Sequence, residues 1–362
     1  MFQSLISQPF GVLWRSALVK APRLTPIQVL KWTDPEGPFP IYVELPSRGD
    51  YKIPVYIFIK KNLTAAEAEK LPVIIDFHGG GFVLGSCLEQ APFCSRLARE
   101  LGAVVITVDY RMGPIYKFPA AIEDAEDVLR AVLEPSHPSG VALRESIRKK
   151  IVENAHLDTS RVSVSGFSSG GNLALNLALS LTEETERTWP SIFGATYQHP
   201  VPFLLYYPSF DSRQLPSERP KKSLIAESEG TPGTSKRSFW AATDDLLAPT
   251  YLPRDMAGHP RASPGLAAVA AVHSAARMLL VLPENDSLAD QSEAWVKKVQ
   301  EDGTRTKHLR VERYPAMKHG WTQFPDSFLK DEEKQAKIEV FGKTIEFVRG
   351  IWAGDESVLK TD

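Results

Sequence analysis

The chain has 362 residues, 43% of them hydrophobic and 24% charged, which is long enough to bury a sizeable core and has the balance of an ordinary soluble protein. Its 42 basic and 44 acidic residues leave a formal charge of -2, with no basic stripe or Arg/Lys-rich block to meet a phosphate backbone, which argues against nucleic acid as a partner. Cys87 and Cys94 are the only cysteines, too few for a disulfide framework and in no Cys/His pattern with metal spacing. They read as buried thiols in a reducing compartment, and no metal site is expected.

The first residues, MFQSLISQPFGVLWRSALVKAPRL, contain no uninterrupted apolar core of a secretory leader, their longest clean apolar run being FGVLW. No stretch anywhere reaches the length of a membrane span, and the expected location is the cytoplasm. Arg15, Lys20, Arg23 and Lys31 precede the first acid, Asp34, a weak likeness to a transit peptide. An amphipathic helix over a site entrance is the preferred reading, and residues 1–45 are assigned as an N-terminal cap segment.

Beyond this, short apolar runs alternate with helical patterns. VYIFIK (55–60), PVIIDF (72–77), AVVITVDY (103–110), RVSVSG (161–166), FLLYYP (203–208), MLLVLP (278–283) and LRVERY (309–314) read as strands, several apolar throughout, as in a sheet covered on both faces. Between them APFCSRLARELG and SLADQSEAWVKKVQEDG read as helices closed by Gly102 and Gly303, and KQAKIEVFGKTIEFVRGIW ends the pattern as an amphipathic helix. The alternation predicts an α/β layered domain with a largely parallel sheet. Residues 134–146, rich in Pro, Ser and Gly, read as a surface connection. Residues 211–265 are too long for a structureless loop and carry SFWAATDDLLAPTYLP, so an inserted helical lid is expected there, leaving 46–210 and 266–362 as the core.

Two stretches carry chemistry. HGGGFVLGS (78–86) follows an apolar strand, and three consecutive glycines need a backbone reason, since each costs conformational entropy and packs nothing. GFSSG (166–170) fits G-x-S-x-G at a strand-to-helix junction, which would hold the Ser168 hydroxyl on strained backbone at a helix start. A serine nucleophile needs a base, and the base an orienting acid. His319 follows the last strand and fits the base better than the other seven histidines. Glu284, Asp286 and Asp290 all lie in the turn that could supply the acid; Asp286 could also cap the following helix, and Glu284 is the second choice.

From residue 70 to 325 the chain resembles the hormone-sensitive-lipase-like branch of α/β-hydrolase esterases. The likeness rests on FHGGGF (77–82), DYRMGPIYKFPAAIEDA (109–125), GFSSGGNLA (166–174), HPRASPGLA (259–267), NDSLAD (285–290) and HGW (319–321), six motifs in the family's order. It implies an α/β-hydrolase fold, a mostly parallel central sheet with helices on both faces plus a helical cap. It also implies a Ser168–Asp286–His319 triad, with Asp286 matching the first aspartate of the family's D-P-L-x-D stretch.

Backbone N–H groups of Gly80, Gly81 and Ser169 would then form an oxyanion hole, with His78 holding the loop's shape. Arg111, Glu123 and Asp124 would tie a loop to the sheet. The elbow departs from the family at Phe167 and Ser169, and Ser287 replaces the usual proline. Phe82, Phe167, Phe239, Trp240 and Trp321 are the expected walls of the substrate pocket. The implied activity is hydrolysis of short to medium acyl esters, or of a natural-product ester or lactone, with no cofactor; a homodimer is compatible. The alternatives are another triad chemistry, such as dehydration, cyclisation or acyl transfer, or a receptor-like binding module.

Overall fold

The structure is a computed structural model and describes residues 35–150, 152–182, 188–219 and 239–360, with the backbone alone at 239–244. Ten strands are present among them: β1 (Ile41–Pro46), β2 (Lys52–Phe58), β3 (Leu71–Phe77), β4 (Val104–Val108), β5 (Leu157–Phe167), β6 (Leu181–Thr182), β7 (Thr188–Trp189), β8 (Val201–Tyr206), β9 (Ala276–Asn285) and β10 (Leu309–Lys318). Eight form one sheet in the order β1-β2-β4-β3-β5-β8-β9-β10, and β6 and β7 make a separate short ribbon. β1 and β2 are antiparallel to their neighbours and every other pairing in the large sheet is parallel.

The helices are α1 (Ala65–Ala68), α2 (Ala91–Leu101), α3 (Ala120–Leu133), α4 (Pro138–Lys150), α5 (Ser169–Ala178), α6 (Phe239–Tyr251), α7 (Ala289–Asp302) and α8 (Asp331–Ala353). The central strands are mostly apolar because both their faces are covered. Val73, Ile75 and Phe77 of β3 join one core with α3, α4, α5 and α7, while Ile74 joins the other with α2 and α8. Gly102 and Gly303 close α2 and α7 in the left-handed conformation, as their positions in the sequence predict.

All seven expected strands are present, but two boundaries differ. β1 begins inside the 1–45 segment, so the sheet starts earlier than expected. It is an edge strand that buries only Val43 and Leu45, and so short a period-two signal is easily missed. Residues 134–146 are not an open connection, because α4 starts at Pro138. Pro at a first helical position is preset for it, Leu143 and Ile147 bury one turn apart, and Arg144 donates to the last-turn carbonyls of Ala131 and Val132 at the end of α3. A Cβ on Gly140 would stand 2.1 Å from the Glu134 carbonyl oxygen, so the glycine is there for close packing and not for a turn.

Residues 1–34 of the expected N-terminal cap and 220–238 of the inserted segment lie outside the described residues. Of the inserted segment, α6 ends at Tyr251, whose buried ring stacks on Phe82 at 4.7 Å and whose carbonyl accepts from the Phe118 N–H. Cys87 and Cys94 are both buried and form no disulfide.

Candidate active site

Ser168, Asp286 and His319 are each the first residue after a strand, following β5, β9 and β10, and so are His78 after β3 and Tyr207 after β8. The parallel strands therefore deliver these side chains to one edge of the sheet, the carboxyl edge where open α/β sheets hold their ligands. Register brings the last two together. β9 and β10 pair with Tyr314 opposite Pro283, but past an irregularity Lys318 stands opposite Asn285, and this places His319 beside Asp286.

The elbow is built by its glycines. A Cβ on Gly166 would lie 2.1 Å from the Gly170 carbonyl oxygen, and one on Gly170 would lie 2.0 Å from that of Phe77. The chain can turn this sharply from β5 into α5 only without those side chains. Ser168 takes up the strain at φ +54°, ψ -114°, held by its N–H to the Tyr206 carbonyl and by the Ser209 N–H to its own carbonyl. Its Oγ lies 3.0 Å from His319 Nε2, and His319 Nδ1 lies 2.7 Å from Asp286 Oδ2. The other Asp286 oxygen accepts the Leu288 N–H at 2.9 Å, so the same carboxylate touches the imidazole and caps the turn into α7. Asp286 is buried, so little water competes for these contacts.

The three glycines of the loop after β3 answer to different neighbours. A Cβ on Gly79 would press on Ser168 Cβ and the Phe167 carbonyl at 3.2 Å, whereas one on Gly80, at φ +122°, would collide with the Leu84 carbonyl at 2.0 Å. Gly81, at φ +62°, faces open space. Only Gly79 is thus small because of Ser168; Gly80 is small because the loop folds back on itself. His78 is buried, has Nδ1 2.7 Å from the Gly79 carbonyl and stacks on Tyr110 at 4.4 Å, which fits the expected loop-shaping role. Ser169 opens α5, with the Tyr110 hydroxyl 3.4 Å from its Oγ.

The expected pocket walls divide. Phe82 stays at the glycine loop, 8% exposed and stacked on Tyr251. Phe167 is wholly buried, stacked on Tyr206 at 4.4 Å and met edge-on by Phe93. As the last residue of β5 it points into the sheet's core while the elbow turns Ser168 outward, and it does not line a pocket open to solvent. Trp321 is likewise buried, between Tyr207 and Tyr314. Phe239 and Trp240 belong to α6, but their side chains lie outside what is described.

Arg111 donates from its backbone N–H and its Nε to Asp124 at 2.7 and 2.8 Å and reaches Glu123 at 3.2 Å, tying the loop after β4 to α3. Burial raises the Asp124 carboxyl to about 6, with the Arg111 hydrogen bond and charge opposing it. Other supports carry no motif. The Asn172 amide donates to the carbonyls of Ser209 and Ala262, and Asn176 donates to Arg261, knitting α5 to the HPRASP stretch. Among the described residues no cluster of His, Cys, Asp and Glu could hold a metal ion, and no helix is long and apolar enough to cross a membrane.

A family model described as alpha/beta hydrolase fold matches residues 74–323, and the chain belongs to that family, the hormone-sensitive-lipase-like carboxylesterases. Ethyl acetate hydrolase of Pseudomonas putida is 27% identical over 263 residues, 72% of this chain and 70% of that protein. Carboxylesterase 20 of Arabidopsis thaliana is 35% identical over 136 residues, 37% of this chain and 38% of that relative's length. EstE1, a thermophilic carboxylesterase cloned from a metagenomic library, superposes with a TM-score of 0.63 at 25% identity, over 96% of this chain and 98% of its own.

Proposed function

We propose that this chain is a serine carboxylic-ester hydrolase acting on small-molecule esters of short to medium acyl chains. The observation that carries the reading is the unbroken contact from Ser168 Oγ through His319 to the buried Asp286 carboxylate, at 3.0 and 2.7 Å. In the first step His319 Nε2 takes the hydroxyl proton as Oγ attacks the ester carbonyl, and Asp286 holds the imidazole's orientation and stabilises its charged form. The tetrahedral oxyanion is met by the N–H groups of Gly80, Gly81 and Ser169, each donor contributing roughly 3 to 4 kcal/mol to the barrier reduction. His319 then protonates the departing alcohol and activates the water that releases the acid. Ethyl acetate hydrolase among the relatives supports small esters, and two 3-O-acetylpapaveroxine carboxylesterases of Papaver somniferum support a natural-product ester as the other form of the same reading.

The inserted segment 211–265 we assign as a cap, on the ground that α6 delivers Tyr251 onto Phe82 at the glycine loop, whereas Ile41–Leu45 of the expected N-terminal cap belong to β1 of the sheet. An organophosphonate, which mimics the tetrahedral intermediate, is expected to add once per chain at Ser168. Ser168→Ala is expected to abolish labelling and to lower p-nitrophenyl ester hydrolysis by roughly 10⁴-fold or more. A label on Ser169, or wild-type protein that neither labels nor turns over any ester, sinks the reading.

A further inference from the structure

The sheet order puts β8 between the strand that delivers Ser168 and the strand that delivers Asp286, and the first residue after β8 is Tyr207. Its backbone stands at φ +36°, left-handed in a residue with a large side chain, a conformation that survives only where the surroundings over-determine it. Three of the four non-glycine residues with positive φ among those described, Phe82, Ser168 and Tyr207, are in loops at this edge of the sheet. The Tyr207 N–H donates to the Val281 carbonyl on β9, which anchors the strained residue from the far side.

The ring, 1% exposed, meets the His319 imidazole edge-on with centroids 5.0 Å apart, and it packs on Trp321 at 5.6 Å. Its hydroxyl lies 2.6 Å from the buried Thr322 Oγ1 and reaches the Gln323 side-chain oxygen at 3.4 Å. Gln323 in turn stands where it would touch a Cβ on Gly79, at 3.3 Å, and one on Gly320, at 3.7 Å. One side chain therefore supports the imidazole directly and holds the next residues of its loop against the glycine loop. Asp286 fixes only the Nδ1 end of the ring, and a hydrogen bond alone leaves the imidazole free to tilt about it.

Resting on the triad reading above, we propose that Tyr207 is a positioning residue for His319, acting through ring contact and through the Thr322 hydroxyl. Tyr207→Phe keeps the ring and removes the anchor, and Thr322→Val removes the other half of the same hydrogen bond. Each is expected to lower kcat on p-nitrophenyl acetate about tenfold, the effect of one lost buried hydrogen bond on a barrier, with KM unchanged. Phosphonate labelling of Ser168 should slow in parallel, because it needs the same base. The double variant should lose no more than either single one, since both remove one interaction. Thr322→Ser, which keeps the hydroxyl, should restore both rates.

A merely structural role predicts a lower melting temperature with wild-type kcat and labelling rate in the folded variants, and that result overturns the proposal. If Tyr207→Phe fails to fold, the Thr322→Val and Thr322→Ser pair carries the same test. Inactive wild type, or an active Ser168→Ala, would instead sink the triad reading itself.

Discussion

Glu284 lies near the end of β9 and Asp286 is the first residue after that strand, and the sequence offers both as the acid. The geometry favours Asp286, whose Oδ2 lies 2.7 Å from His319 Nδ1. Asp286→Asn is expected to lower kcat by roughly 10⁴-fold, since the amide can favour the wrong imidazole tautomer. Glu284→Gln, which keeps the side chain's size and leaves the His319–Asp286 contact in place, should change kcat less than about twofold. Steady-state kinetics on one ester decides it, and the reverse order would transfer the acid's role to Glu284.

A second carboxyl makes the opposite kind of statement. Asp76 is buried on β3 among Thr107, Cys94 and Ser165, and burial raises it to about 7. Its folded value thus lies above its ordinary 3.8, so the protonated folded form is fully favoured below about pH 4 and that stabilisation is lost as pH rises through about 7. Asp76→Asn should remove this loss, so that the melting temperature of the variant gains on wild type as pH rises from 4 to 7. A constant difference across that window would show that Asp76 does not titrate there.

At the scale of elements, helix ends and strand ends carry most of the specification. α4 docks on the end of α3 because Gly140 lets the two backbones touch. Gly140→Ala is expected to destabilise by about 1 to 3 kcal/mol, the usual cost of overpacking, despite alanine's better helix propensity. Thermal or urea unfolding reads it, and a stabilised variant would mean that α4 does not pack here. His308, in the turn leading into β10, is a case governed by charge. Burial, then Arg277 and Arg305, lower its imidazole from 6.5 to about 4. Neutral His308 therefore favours the fold above about pH 6.5, and this is lost as pH falls toward 4. His308→Gln should flatten that acid limb in a melting-temperature series. Because Asp76 acts with the opposite sign over much of the same range, each effect is read as variant minus wild type.

Across the whole molecule a charged network joins distant segments. Arg48, in the turn between β1 and β2, pairs with Glu123, Glu126 and Asp127 of α3, and Glu126 also holds Arg261 of the HPRASP stretch. Arg261 is 5% exposed and lies over the Trp189 ring. Glu126→Gln removes its charged partner and is expected to cost about 3 kcal/mol or more, because an unpaired buried charge is left behind. Glu218→Gln, which breaks the exposed pair with Arg254, should leave the unfolding midpoint nearly unchanged, because water already screens that pair. Equal effects in denaturant unfolding would mean that Arg261 is not held as a buried charge.

What the sequence determined by itself was whatever local chemistry forces. Runs such as PVIIDF and MLLVLP read as strands buried on both faces, Gly102 and Gly303 as helix ends because they accept left-handed backbone, and GFSSG between a strand and a helical pattern as a sharp elbow, each as the structure has it. Ser168 and His319 were legible because each follows a recognisable strand. Three things waited for the tertiary structure, and each depends on neighbours far away in the chain. That Asp286, which the family likeness already preferred to Glu284, comes to lie beside His319 depends on the register of β9 against β10. The inward turn of Phe167 and Trp321 needed the side of the sheet that each faces, which motif membership does not carry. Tyr207 stands in no motif and acts across 112 residues of chain on His319, so its part is visible only once β8 is seated between β5 and β9.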